Sequence, residues 1–81
     1  MDDTQIHDHI EELVAEEHRL MEGAGREGGL QQAERERLSA IKVELDRYWD
    51  LLRQRKALEE FGLDPDAARI RSADTVEHYR Q

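Results

Sequence analysis

The chain contains no cysteine and no long run of apolar residues. The lack of cysteine excludes disulfide bonds and thiolate chemistry, and no apolar segment approaches the roughly 20 residues that a membrane-spanning helix needs. The first residues offer neither a basic segment nor an apolar run suited to secretion. We therefore expect a soluble, cytoplasmic protein with no membrane partner.

Basic residues are outnumbered: 12 lysines and arginines stand against 20 acids, which gives a net charge of -8. The excess lies in residues 1–22, where eight acids and one arginine give -7, whereas residues 30–61 hold seven acids and seven bases. Such a surface repels phosphate backbones. The one basic patch, residues 53–56, is expected to lie near Asp2, Asp3 and Asp8, so we predict no nucleic-acid partner.

The apolar residues are few but regularly spaced, although 40% of the residues are charged. They recur every three or four residues in two stripes, as expected for amphipathic helices: Ile6, Ile10, Leu13 and Leu20 in the first, and Leu38, Ile41, Leu45, Tyr48 and Leu52 in the second. Four of the five glycines separate the stripes, within residues 23–29. The sequence therefore predicts an all-α fold, an antiparallel, coiled-coil-like hairpin of two helices.

Local signals place the helix ends within a single domain, residues 1–81. Asp2 and Gln5 have the spacing of a capping box, so helix 1 is predicted over about 3–22 and a flexible turn over 23–29. Helix 2 is predicted over about 30–61, because Gly62 suits the left-handed position of a Schellman stop, with Leu63 against Leu58.

The tail, residues 62–81, is predicted to contain two short helical segments. Asp64 precedes Pro65 as an N-cap precedes a first-turn proline, which predicts a turn over 66–70. Asp74 and Glu77 repeat the capping-box spacing, which predicts a last helix through Tyr79.

At about 1.5 Å per residue, helix 1 is predicted to be roughly 28 Å long and helix 2 roughly 45 Å long. If residue 22 pairs with residue 30, Ile6 lies opposite residue 46, and helix 2 beyond Trp49 projects past the start of helix 1. That projection would expose too much apolar surface to remain bare. Either the tail folds back over it with Leu63, Ile70, Val76 and Tyr79, or a second copy forms a four-helix arrangement.

Charged and aromatic residues on the stripes are the candidate interaction residues. Glu17 and Arg55 each stand where an apolar residue is due, and such charges usually select register or partner. Glu17 is expected near Arg35; Arg55 is expected beyond helix 1, paired with Asp74 or Glu77 of the tail or with another chain. Aromatic side chains act as core residues or as interface anchors. The predicted interface comprises Tyr48, Trp49, Leu51, Leu52, Arg55, Leu58 and Phe61.

His7, Glu11 and His18 share one face of helix 1, and two such helices could in principle assemble metal ligands. The Glu-x-x-His element of di-iron bundles is missing from helix 1. We therefore interpret this face as solvated and acid-rich, and predict no metal and no cofactor.

Nearly the whole chain resembles a family of short actinobacterial proteins catalogued as a domain of unknown function. The resemblance is carried by residues 9–10, 13–20, 43–46, 49–55, 61–62 and 64–66, and by Val76, Glu77, Tyr79 and Gln81. It implies a bacterial helical protein and supplies no activity, ligand or functional residue.

A shorter similarity, over residues 51–58, is to the first helix of all-helical chorismate mutases, in which Arg55 would match an arginine that holds a substrate carboxylate. Gly62 ends the helix where that enzyme continues, and no lysine follows. We expect a non-enzymatic interaction or scaffold protein that self-associates, as a dimer, or binds a protein partner through the apolar C-terminal half of helix 2. The alternative is a small helical enzyme or ligand-binding bundle in which Arg55 binds a carboxylate.

Overall fold

The computed structural model describes residues 1–78, which form helices and turns without any β-strand. Helix α1 spans Asp3–Gly23 and α2 spans Gln32–Glu60; a 3₁₀ turn at Pro65–Ala67 and the short helix α3, Ala73–His78, follow. Helices α1 and α2 pack against each other in an antiparallel hairpin, and both tail elements pack on α2. The predicted all-α class and its short C-terminal helix are confirmed. No helix in these residues is both long and apolar enough to span a membrane.

Reciprocal hydrogen bonds begin α1 and a glycine-dependent motif ends α2. The Gln5 N–H donates to the Asp2 carboxylate at 2.8 Å, and the Asp2 N–H donates to Gln5 Oε1 at 2.9 Å, which is the predicted capping box. At the end of α2, Gly62 has a φ of 71°. The Leu63 N–H donates to the Leu58 carbonyl at 2.8 Å and the Gly62 N–H to that of Glu59 at 3.0 Å. These bonds form the predicted Schellman stop.

The turn between the helices is longer than predicted. Gly28 and Gly29 have φ values of 86° and 66°, so the chain leaves the helical conformation there, and α2 begins at Gln32, two residues later than expected. Arg26 closes the turn, with Nη2 2.8 Å from Glu34 and Nε donating to the Gly23 carbonyl at 3.1 Å. The longer turn moves α1 towards the C-terminal end of α2.

The register of the two helices therefore differs from the predicted one. His7 meets the ring of Trp49 edge-on at 6.3 Å, and His9 stacks on Tyr48 at 5.2 Å, whereas the prediction placed Ile6 opposite residue 46. The statement that α2 projects beyond α1 after Trp49 is wrong. Leu51, which the prediction placed in the projecting part of helix 2, is instead buried in the core with Ile6 and Ile10. The residues packed against this core are Leu45, Tyr48, Leu52 and Ala68.

The tail folds back over α2 of its own chain. Gln54 accepts from the Arg69 N–H at 3.3 Å and donates to the Arg69 carbonyl at 2.7 Å, and Arg47 donates to the Arg71 carbonyl at 2.9 Å. Val76 of α3 is buried. The predicted N-cap at Asp64 is present, because its side chain accepts a hydrogen bond from the Asp66 N–H at 2.9 Å. The first turn of α3 is capped instead by Ser72, whose hydroxyl accepts from the Thr75 N–H at 3.2 Å. Asp74 lies inside that helix, and Tyr79 lies outside the described residues.

Candidate functional site

Arg55 is the buried centre of a charge cluster that joins three segments of the chain, and its carboxylate partners are exposed. Its side chain is buried, with Nε 2.6 Å from Asp3 Oδ1 and Nη1 2.9 Å from Asp66 Oδ1. Nη1 also donates to the Pro65 carbonyl at 3.3 Å. The start of α1 and the 3₁₀ turn are thus both bound to one residue of α2. The prediction that Arg55 lies beyond helix 1 and pairs with Asp74, Glu77 or another chain is wrong, because the shifted register brings Asp3 to it.

The charges in this cluster stabilise each other. The hydrogen bonds that Arg55 donates to Asp3 and, to a smaller extent, to Asp66 raise the pKa of Arg55, and the bond from Arg55 lowers the pKa of Asp66 below its ordinary value of 3.8. Two of the three guanidinium nitrogens are already bonded to carboxylates. A substrate carboxylate that bound Arg55 through two parallel bonds would have to displace Asp3 or Asp66, so the geometry favours a structural role for this arginine.

A second ion pair joins α1 to α2 near the turn. Arg37 binds Glu16 through two parallel bonds, Nε to Oε2 at 2.7 Å and Nη2 to Oε1 at 2.8 Å, and also reaches Glu44 at 3.3 Å. The ion pair between Glu16 and Arg37 takes the place of the predicted pair between Glu17 and Arg35. Arg35 instead donates to the Leu30 carbonyl at 2.6 Å. The bonds from Arg37 lower the pKa of Glu16, and Glu16 raises that of Arg37.

Acid is expected to remove the contribution of Glu16. Its folded-state pKa lies below 4.5, so its stabilisation is complete above that value and is lost as the pH falls through the folded-state pKa. The Glu16→Gln variant should therefore melt a few degrees below the wild type at pH 7, and the two curves of melting temperature against pH should converge as the pH falls through the folded-state pKa of Glu16. Thermal unfolding followed by circular dichroism measures this.

The matched control for that experiment is Glu12→Gln, since Glu12 is exposed on the same helix. Its curve is expected to follow the wild type at every pH. Parallel curves for Glu16→Gln and the wild type, with a constant separation down to pH 2, would contradict the assigned role of the pair.

Asp50 is a buried carboxylate that sequence reasoning missed. Its side chain is 4% exposed; Gln54 donates to Oδ2 at 2.9 Å and Arg71 Nη1 lies 3.5 Å from Oδ1. It borders an open groove of about 580 Å³ between α2 and the tail. The one available signal was the four-residue spacing of Asp50 and Gln54, which places them on one face of a helix. No buried side-chain polar atom in residues 1–77 lacks a hydrogen-bond partner. Through Gln54, which bonds Arg69, and through Arg71, Asp50 helps to hold the tail.

The structure divides the seven predicted interface residues into three groups. Leu51 and Arg55 are buried within the chain and are therefore not available to a partner. Tyr48, Leu52 and Leu58 are half-buried. Trp49 is 43% exposed and Phe61 is 79% exposed. Of the predicted set, these last two present substantial apolar surface to solvent.

The weak metal candidates on α1 are not brought together. His7 contacts Trp49, while Glu11 and His18 are exposed further along the helix. Residues 1–77, whose side chains the structure describes, contain no group of three or more histidine or acidic side chains placed to hold a metal ion.

Comparisons with known proteins place the sequence in a family. Residues 2–81 match the family model described as "Protein of unknown function (DUF2630)". Uncharacterised proteins of Mycobacterium tuberculosis and Mycobacterium bovis are each 46% identical over 78 residues, which is 95% of this chain and 88% of each relative. No solved structure matches the chain. The predicted resemblance to an actinobacterial domain of unknown function is confirmed.

Proposed function

This chain belongs to the DUF2630 family of proteins of unknown function, and we propose that it is a non-enzymatic helical scaffold that acts by associating with further copies of itself. The observation that carries this proposal is the distribution of its large apolar side chains. Among the described residues six apolar side chains are buried, whereas seven large ones are exposed: Met1, Val14, Met21, Trp49, Phe61, Leu63 and Ile70.

A core of this size is small for an independent domain. A short chain buries a smaller share of its surface than a long one, so helical chains of this length gain stability by association. The tail already covers the part of α2 that carries Gln54 and Arg55. The apolar groups that remain exposed are thus those that neither the hairpin nor the tail can cover.

Trp49 and Phe61 are the exposed members of the predicted interface and the proposed anchors of association. Large aromatic side chains bury much area at little cost in conformational entropy, which makes them frequent interface anchors. Trp49 lies on α2 beside His7, and Phe61 lies at the C-terminal end of the same helix. The two sites are separated by 12 residues of sequence, or about 18 Å of helix.

Sedimentation velocity over a range of concentrations tests the proposal. The wild type is expected to reach a mass of about twice 9.5 kDa. Trp49→Ser and Phe61→Ser are tested separately, and at least one should shift the distribution towards the monomer. Glu59→Ser, at an exposed polar position of the same helix, should not. A wild type that remains at the monomer mass up to its solubility limit would overturn the proposal.

A further inference from the structure

One side of the hairpin carries two rows of exposed residues that the tail does not touch. The rows repeat every seven residues, about two helical turns, so the members of each row lie on one side of their helix. This open face consists of Val14 and Met21 of α1 and Arg35, Lys42, Trp49 and Lys56 of α2.

Contacts and exposure show that both rows face the same way. His7, seven residues before Val14, touches the ring of Trp49, so the two rows are neighbours on one side of the hairpin. Val14, Met21 and Trp49 are 37%, 54% and 43% exposed. The α1 row of the open face is therefore apolar, whereas the α2 row places Trp49 among basic side chains.

Residues 69–71 of the tail lie on the other side of α2. Arg47 and Gln54 hold them through the carbonyls of Arg71 and Arg69. These two positions precede Trp49 and Lys56 by two residues each, which is about 200° of rotation round the helix. Nothing in the described part of the chain therefore covers the open face.

We propose that the open face binds the open face of a second copy, about a two-fold axis parallel to the helices, so that each α1 lies against the partner's α2. This inference rests on the proposed self-association and specifies its geometry. Charge selects the arrangement. Residues 1–22 carry a charge of -7, whereas the α2 row of the open face is basic at three of its four positions.

The other two-fold arrangement would place α1 against α1. It brings two segments of charge -7 together, and such juxtaposed like charges are strongly unfavourable. In the proposed arrangement Glu11 of α1, which is exposed one turn before Val14, approaches the partner's Lys42, and the contact occurs twice because of the symmetry. Trp49 is enclosed between the two hairpins.

The area of the open face is sufficient for such a dimer. Helix α1 has 21 residues, which gives a face about 30 Å long, and two adjacent helices are about 20 Å wide. Contact over this face removes about 600 Å² from each copy, or about 1,200 Å² in total, at the lower limit of stable specific interfaces.

Charge reversal of the proposed pair is the first test. Lys42→Glu and Glu11→Lys should each raise the dissociation constant of the dimer roughly 10-fold or more, and the double variant should restore it to near the wild-type value. Both side chains are exposed, so the fold of each variant, checked by circular dichroism, should be unchanged. Arg19→Glu, which makes the same change in charge at an exposed position about 140° round α1 from Val14, is the matched control and should leave the dissociation constant near its wild-type value.

Cross-linking through introduced cysteines is the second test, because the native chain has none. A mixture of the Glu11→Cys and Lys42→Cys proteins, treated with a short bis-maleimide, should yield the mixed dimer in preference to either self-linked dimer. Self-linked Glu11→Cys dimers would overturn the arrangement and favour α1 against α1. A wild-type dimer whose dissociation constant is unchanged in both charge variants would overturn the inference while leaving self-association intact. A monomeric wild type would overturn both.

Discussion

Replacing Ile6 with alanine is expected to lower the free energy of unfolding by about 3 kcal/mol, since truncation of a fully buried isoleucine costs about 2–5 kcal/mol. The Ile6 side chain has no exposed surface and packs with Ile10 and Leu51 in the core. A domain of this size has about 4–12 kcal/mol of stability in total, at 0.05–0.15 kcal/mol per residue. The Ile6→Ala variant should therefore lose a large fraction of the total free energy of unfolding.

Urea denaturation followed by circular dichroism measures that change. Ile70→Ala is the matched control, because it deletes the same atoms from a side chain that is 43% exposed; we expect a loss below about 1 kcal/mol. The slope of the free energy of unfolding against urea concentration should be similar in both variants and the wild type. Equal losses at positions 6 and 70 would show that the contact between α1 and α2 is not the core of the molecule.

Replacing Arg55 with glutamine is expected to release both the start of α1 and the tail. The variant loses the bonds to Asp3 and Asp66 and leaves a polar amide at a position that is 6% exposed. We expect the melting temperature to fall by roughly 10 °C. Amide hydrogen exchange should accelerate in residues 65–72 and at the first turn of α1, more than in the centre of the hairpin.

Arg53→Gln provides the comparison, since Arg53 is exposed two residues away on the same helix. It should melt close to the wild type, with unchanged exchange in residues 65–72. Asp66→Asn should release the tail but not the start of α1, because Asp3 still binds Arg55. If Arg55→Gln retains wild-type exchange in both segments, the cluster does not hold them.

The helix ends could be predicted because they depend on neighbours in sequence. The pairing of Asp2 with Gln5 and the stop at Gly62 involve groups within five residues of each other. Their geometry is set by local backbone conformation and by side chains that reach adjacent N–H groups. The N-cap at Asp64 was found for the same reason.

The candidate site was predicted less well because it depends on distant segments. Asp3 and Arg55 are 52 residues apart in sequence, and their meeting depends on the register of two helices. His7 lies beside Trp49, whereas the predicted register places it beside residue 45. This shift of four residues moves α1 by about 6 Å along α2, which is enough to exchange one partner for another. Leu51, predicted as interface, is for this reason in the core.

The sequence by itself determined that this chain is helical, where its two long helices cap and stop, and that its acidic charge is concentrated in residues 1–22. These properties follow from periodicity, local hydrogen bonds and composition. The tertiary structure alone decided which charges meet at Arg55, that the tail covers its own α2, and that one face of the hairpin stays open. Those outcomes depend on how the packed helices are placed relative to each other. This placement depends on the conformation of the turn at Gly28 and Gly29, and no local sequence pattern specifies it.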